Sequence, residues 1–381
     1  MRKRVIVACD SFKGSLTSKE AGEACCKGIL DVCPEAEVSV ISVADGGEGT
    51  TEALAEALDA SRIECMVSDP LGRPVAAHYI LSRDGHTAVM EMAAASGLGL
   101  VPATERNPLN TDSRGTGEMI LDAAHRGATE IVMGIGGSAT VDGGMGMLAA
   151  LGVNFYDADG NRLEHFGGAT LEKVDRIDLT DLDPLVGKLK ISVICDVDNP
   201  LCGENGAARI FGPQKGADPL TVERLESGMM HYADAIERYA GFGVRDIPGG
   251  GAAGGMGMAL TSLLGASLKS GIDVVLDLID FDRRIAGASL VITGEGRLDS
   301  QTLHGKTPFG IMLRARRQGI PTVAVGGSVE SSKELTAAGF AAVLPIIPAP
   351  CTLEEAMRPA TARANLRRTA ATILSLLRLP G

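Results

Sequence analysis

Residues Ser289–Thr307 read SLVITGEGRLDSQTLHGKT. The short apolar run at the start, ended by glycines, is the pattern of a buried parallel strand, here Ser289–Thr293. The end, Gly305-Lys306-Thr307, resembles the close of a phosphate-binding loop. A Walker A loop would need a glycine at position 300, and Ser300 stands there. The stretch is therefore read as a strand end running into a helix, Thr302–Gln318. A regular alternation follows it: strand Pro321–Gly326, helix Ser331–Ala338, strand Ala341–Ile347 and a long closing helix Leu353–Leu377.

The chain begins with the same rhythm. Arg4–Asp10, RVIVACD, reads as a strand. Thr17–Cys33 reads as a helix capped by Ser15 or Thr17, and Glu37–Val43 as a second strand. Asp45-Gly-Gly-Glu-Gly-Thr50 then opens a helix over Thr51–Leu58. The two ends together supply five strands in β-α repeats, the number of a flavodoxin-like parallel sheet of order 2-1-3-4-5.

Between them the pattern changes. Ile63–Val67, Val75–Ser82 and Thr87–Met92 are closely spaced runs that predict antiparallel strands. Further strands are expected at Glu130–Ile135 and Leu189–Asp196, and helices at Gly115–Arg126, Met145–Leu151 and Thr221–Tyr239. The fold class is α/β in two domains: a discontinuous flavodoxin-like domain, residues 1–66 and 287–381, and a mixed α/β domain, 67–286, inserted into it.

In open parallel sheets ligands bind beyond the carboxyl ends of the strands, where strand order reverses. Here that point lies between the first strand, which ends at Asp10, and the third, which ends in Thr293-Gly-Glu-Gly-Arg297.

Composition narrows the function. The 381 residues carry a formal net charge of −12, with 3% aromatic residues and no Trp. Nucleic-acid binding wants a basic stripe and stacking platforms, so it is excluded as a partner class. Small anions need only a local cluster of cations and helix N-termini. The eight cysteines show no Cys-x-x-Cys pair and read as reduced thiols. The N-terminal apolar run is too short for a signal peptide, and no run has membrane-spanning length. The expectation is a soluble cytoplasmic protein.

Several motifs sit at strand ends. Asp10-Ser11-Phe12-Lys13-Gly14-Ser15 offers hydroxyls, a lysine and a helix start to an anion. Asp45 and Glu48 place carboxylates in a glycine turn. Gly134-Ile-Gly136-Gly137-Ser138-Ala139 fits Gly-x-Gly-x-x-Ala, and Gly249–Gly254 fits Gly-x-Gly-x-x-Gly but reads as loop or hinge. Cys195-Asp196-Val197-Asp198-Asn199-Pro200 and Phe211-Gly-Pro-Gln-Lys215-Gly216 pair strand-end carboxylates with a lysine, as phosphoryl transfer requires. Each also has a plain reading, as a capped turn or a solvated charge. Two other functional classes are compatible with the glycine loops: a dinucleotide-dependent oxidoreductase, with Asp157 or Asp159 as ribose acid, and a non-enzymatic small-anion clamp.

The ordered set ACDSFKGSLTSKEA, VADGGEGT, DPLGRPV, MEMAAASGL, RGTGEMI, GIGGSATVDGG, CDVDNP, FGPQKGA, PGGGAAGG, VITGEGRLDSQTLHGKTP and the closing LRRTA resembles the type-1 glycerate kinase family over nearly the whole chain. The resemblance implies transfer of the ATP γ-phosphoryl group to D-glycerate with Mg²⁺, usually giving 2-phosphoglycerate, in a cleft between two α/β domains. Three positions depart from the family pattern: Cys9 for Pro, Val141 for Asn, and Gly326 for Ala.

For such a reaction Lys13, Lys215, Lys306 and Arg297 are the expected sources of positive charge, with Arg297 placed to grip a carboxylate or phosphate. Asp45 or Asp196 would accept the hydroxyl proton. Glu295 or Asp198 would help hold the metal. Asp10, Ser11, Ser15, Gly136, Gly137, Ser138, Gly294 and Gly296 complete the expected substrate and phosphate contacts.

Overall fold

A strand buried on both faces appears in sequence as an unbroken apolar run. Arg4–Cys9 is such a strand, β1, buried from Val5 onward. The structure is a computed structural model that describes residues 4–43, 58 and 60–377. The further strands, in chain order, are β2 (Glu37–Val40), β3 (Ser61–Ser68), β4 (Pro74–Leu81), β5 (Thr87–Glu91), β6 (Glu130–Gly134), β7 (Asn154–Tyr156), β8 (Arg176–Asp178), β9 (Lys190–Ile194), β10 (Ser267–Lys269), β11 (Leu290–Leu298), β12 (Thr322–Val329) and β13 (Ala342–Pro345). The chain divides into two compact units, Met1–Ala57 with Gly271–Gly381, and Leu58–Ser270.

The discontinuous unit holds a five-stranded sheet of order β13-β12-β11-β1-β2. Every pairing in it is parallel. Numbered within the unit, this is the expected order 2-1-3-4-5. Alternate strand residues face opposite ways. Val5, Val7, Ile292 and Val325 pack with helix Ser18–Val32 and helix Pro359–Leu376, whereas Ala324 packs with Leu298, Met312, Leu335 and Phe340. Thr17, not Ser15, caps the first helix: its side chain accepts from Glu20 N while the Glu20 carboxylate accepts from Thr17 N, a reciprocal capping box.

Several elements of this unit differ in their bounds from the sequence reading, and three of the differences have a clear physical cause. First, β11 runs through Thr-Gly-Glu-Gly-Arg to Leu298 instead of ending at Thr293, because it keeps pairing with β12: Glu295↔Gly326, Arg297↔Ser328, Leu298↔Val329. Second, no helix starts at Thr302. Asp299 caps a 3₁₀ turn over Ser300–Leu303, and the α-helix begins at Thr307 with Lys306 as its N-cap. Gly305, at φ +87°, supplies the left-handed residue that separates the two. Third, the closing helix is two helices, Leu353–Met357 and Pro359–Leu376. Arg358 is held out of the helical region (φ −59°, ψ 125°), as a residue before proline tends to be.

The contiguous unit holds a six-stranded sheet of order β10-β9-β6-β5-β4-β3. Its β10-β9-β6-β5 half is parallel and its β5-β4-β3 half antiparallel. The sequence reading cut the chain at 66/67 and 286/287; the units meet at 57/58 and 270/271. Two packing facts account for the shift. The whole of β3 pairs with β4, from Ser61↔Leu81 to Ser68↔Pro74. Helix Gly271–Leu278 packs on helix Thr307–Arg317, with Ile272 against Gly310.

The glycine-rich Pro248–Gly257 segment is not a hinge. Pro248 is exposed, but residues 249–257 are buried in the contiguous unit apart from half-buried Ala253, and Gly143 N donates to Gly254 O at 2.9 Å. A side-chain carbon on Gly254 would collide with Thr140 O, so the run of glycines permits close backbone approach. Among the described residues no helix is long and apolar enough to cross a membrane.

Candidate active site

In the discontinuous unit, β1 and β11 part company at Cys9↔Gly294, the last pair of their ladder. Asp10 N still donates to Gly294 O at 2.8 Å, and beyond it β11 pairs with β12 alone. This is the switch point anticipated from the sequence. Asp10 is buried and both its oxygens are engaged: Oδ1 accepts from Ser11 N at 2.6 Å and Oδ2 from the hydroxyl of Thr307 at 2.8 Å. Asp10 thereby ties the end of β1 to the first residue of helix Thr307–Arg317. Phe12 N donates to Leu16 O and Ser15 N to Phe12 O, making a tight turn with Lys13 and Gly14 at its exposed tip. The Ser15 hydroxyl is buried and has no hydrogen-bond partner among the described residues.

The β11 extension carries the second cluster. Glu295 Oε1 accepts from the Thr302 hydroxyl at 2.9 Å, and its Oε2 lies 3.6 Å from Lys306 Nζ. Lys306 Nζ also lies 3.9 Å from Asp299. Burial raises the Glu295 carboxyl above its usual range, against the pull of Lys306 and Thr302. Lys306 is thus held over the strand end by two carboxylates. Arg297 is exposed, with Nε 3.1 Å from Asp299 and a terminal nitrogen 2.9 Å from Glu330. Its guanidinium is occupied by these pairs, which a carboxylate ligand would have to displace.

In the contiguous unit, the carboxyl ends of β6 and β9 lie side by side through Gly134↔Ile194. After β6 the chain turns through Gly136 and Gly137, both exposed, to Ser138, which is buried. Among the described residues, the N–H groups of Gly136, Gly137 and Ser138 donate to no protein acceptor. Successive open N–H groups of this kind form an anion-binding concavity. After β9, Asp196 and Asp198 are exposed on a loop, two residues or more beyond the strand that was expected to reach Asp196.

Behind the Gly136–Ser138 turn stands a buried polar network. Lys215, 2% exposed, donates from Nζ to Ser138 Oγ at 2.8 Å and to Thr140 O at 2.7 Å. Burial pushes its pKa down to about 7, with Asp142 opposing the shift. Asp142 is fully buried; Oδ2 accepts from Ser113 N, Ser113 Oγ and Gly146 N, and Oδ1 from Gly144 N. Burial raises its carboxyl. Thr111 Oγ1 donates to Ala139 O at 2.9 Å. Asp112, beside this network, is pushed up to about 6, chiefly by burial. Val141, where the family pattern has Asn, is fully buried and apolar packing suits it.

Sequence reasoning missed Asp142, Thr307, Thr111 and Ser113. Asp142 had a visible signal, a lone carboxylate before Gly143-Gly144 in a glycine-rich turn. Thr307 directly follows Gly305-Lys306, the very residues that drew attention. Asp45 and Glu48 lie outside the described residues. No group of three or more His, Cys, Asp or Glu that could hold a metal occurs among the described residues. Asp157, a candidate ribose acid, instead closes a surface turn by accepting from Asp159 N and Asn161 N.

Comparison with known proteins defines the class. A family model described as the Glycerate kinase family matches residues 5–378. The protein named Glycerate 2-kinase of Escherichia coli (strain K12) is 47% identical over 358 residues, covering 94% of each chain. The Glycerate kinase of Bacillus subtilis (strain 168) is 46% identical over 377 residues, covering 99% of this chain and 98% of its own. A crystal structure of "putative glycerate kinase 2" from Salmonella typhimurium LT2 matches with a TM-score of 0.83 at 45% identity, covering 99% of both chains. The protein is therefore a kinase, a transferase acting on a small molecule with a nucleotide as donor. It belongs to the glycerate kinase family.

Proposed function

We propose that this kinase transfers the γ-phosphoryl group of ATP to a hydroxyl of D-glycerate, giving 2-phosphoglycerate. Family membership supports the reaction class. The row of open N–H groups at Gly136, Gly137 and Ser138, at the carboxyl end of a parallel strand, is the observation that carries a phosphate site. Lys13, at the exposed tip of its turn, and Lys306 supply cationic charge. Ser11 and Ser15 supply hydroxyls, and Gly296 puts no side chain beside the backbone of Lys13, whereas the space at Gly294 is taken by the Val325 carbonyl. Arg297 would bind the glycerate carboxylate by exchanging Asp299 and Glu330 for it. Asp196 and Asp45 are the carboxylates proposed to take the hydroxyl proton.

Mg²⁺ is bound in such sites by one or two carboxylates together with substrate phosphates and water, and when bound it would neutralise phosphate charge. Exposed Asp198 fits that donor set. Glu295 fits it less well, because Thr302 and Lys306 already engage its oxygens.

The test is ADP release from ATP and Mg²⁺ that depends on D-glycerate, with the product identified by NMR. Expected are glycerate-dependent turnover and a 2-phosphoglycerate spectrum. Folded protein that releases no ADP on addition of D-glycerate would sink the reading, and a 3-phosphoglycerate product would correct the position of transfer. Lys13→Ala should lower kcat/KM by at least about tenfold if its ammonium meets developing charge.

A further inference from the structure

Lys215 was expected to touch phosphate. Its ammonium is instead sealed behind the Gly136–Ser138 turn, with two of its hydrogens spent on Ser138 Oγ and Thr140 O. A protonated lysine donates and cannot accept. Ser138 Oγ therefore accepts from Lys215, and its own hydrogen must go elsewhere. Among the described residues no protein atom accepts it. The three open N–H groups of the same turn lie in the same short stretch of chain. We propose that Lys215 is a positioning residue that locks the Ser138 hydroxyl as a donor to a phosphoryl oxygen of the nucleotide, completing the cradle begun by the Gly136 and Gly137 N–H groups.

The inference rests on the phosphate role proposed for this turn. Chemistry makes the lock depend on the proton of Lys215. A neutral amine has a lone pair, which gives the Ser138 hydrogen an inward acceptor and releases the lock. The ionisable group found to act on Lys215 is Asp142, which favours its charged form. The loss of its proton is expected near neutrality, because burial opposes the charge. No bond to the substrate is made or broken by Lys215 itself.

A double-mutant cycle on the whole enzyme tests this, with KM measured separately for the nucleotide and for glycerate. S138A should raise the nucleotide KM by roughly tenfold to a hundredfold and leave the glycerate KM within about twofold, the range for losing one charge-assisted hydrogen bond. S138T, which keeps the hydroxyl, should recover most of the loss. K215M should weaken nucleotide binding in the wild-type background and, in the S138A background, by no more than about threefold, since its effect passes through Ser138.

Equal K215M losses in both backgrounds would show direct action of the lysine and overturn the proposal, while the phosphate role of the turn stands. An S138A enzyme with unchanged nucleotide KM would overturn both, and a change in the glycerate KM alone would overturn the assignment to nucleotide. The ratio of wild-type to S138A nucleotide affinity across pH 6–9 gives a second readout in which the ligand's own ionisation cancels. It should fall as pH rises through about 7. A flat ratio overturns the proposal even where K215M fails to fold.

Discussion

Lys215 and Asp142 show how much a single buried charge decides here. For Lys215, the folded pKa of about 7 lies below the ordinary 10.5. Between those values the unfolded chain holds a proton that the native protein does not, so stability rises with pH across that window and is flat below it. The wild type should therefore gain stability over K215M between about pH 7 and pH 10, by an amount on the order of 4 kcal/mol, read from urea unfolding at several pH values. A pH-independent difference would mean that the lysine is not desolvated as the structure shows. Asp142 works the other way, accepting from four donors that among the described residues have no other acceptor. D142A leaves them buried without it and should cost about 3–5 kcal/mol, with kcat/KM falling because the turn after β6 loses its brace. A D142A enzyme within about 0.5 kcal/mol of wild type would refute the network, since that is the scatter of neutral surface changes. The sequence exposed the Gly-x-Gly-x-x-Ala turn because glycine spacing is local. It could not expose Lys215 as a buried donor, since Phe211-Gly-Pro-Gln-Lys215-Gly216 reads as a polar surface turn and its partner lies 77 residues away.

At the level of elements, the segment Ser289–Thr307 was legible in kind and wrong in register. A strand and a helix were both expected, and both exist. The strand is longer because the partner β12 is long, and the helix starts later because Gly305 intervenes. Partner length and left-handed backbone are not encoded in a periodic pattern, whereas the Arg358-Pro359 break in the closing helix was available from proline chemistry alone. Helix Thr307–Arg317 is held from behind by Arg314, whose side chain is only 10% exposed and whose guanidinium reaches Asp277 at 2.7 Å, Asp282 at 2.9 Å and Asp273 at 3.3 Å. Burial works against its charge, and the Asp277 and Asp282 carboxylates overcome that and hold it above the usual range. The carboxylates are 42–49% exposed, so solvent screens the cluster. R314M should cost about 1–3 kcal/mol at pH 7, read from urea unfolding, because it removes the cation that these three carboxylates share. An R314M protein within about 0.5 kcal/mol of wild type would refute that role, since that is the scatter of neutral surface changes.

For the whole molecule, the strand order of the discontinuous unit followed from counting β-α repeats, because parallel strands need crossovers and handedness leaves few topologies. The mixed sheet was less legible: closely spaced runs announced β3, β4 and β5, but that β5 turns parallel to β6 depends on a long-range pairing. The division into units has an energetic counterpart. The hydrophobic cluster that includes Val67, Tyr79, Phe155, Tyr232 and Ala266 draws only on the contiguous unit. The clusters around Val5, Ile292 and Leu366, and around Met312 and Phe340, draw only on the discontinuous one. A unit with its own core is able to fold alone. We therefore propose the contiguous unit as an inserted domain and expect a fragment spanning residues 58–270 to unfold cooperatively in urea, with circular dichroism and tryptophan-independent probes such as tyrosine absorbance changing together. It should lack glycerate-dependent ATP turnover, because Lys13, Lys306 and Arg297 belong to the other unit. The D142A change should destabilise the fragment by the same amount as the full chain, since all its partners are inside it. A fragment without a cooperative transition would place part of its stability in the remainder of the chain and refute the proposed boundary.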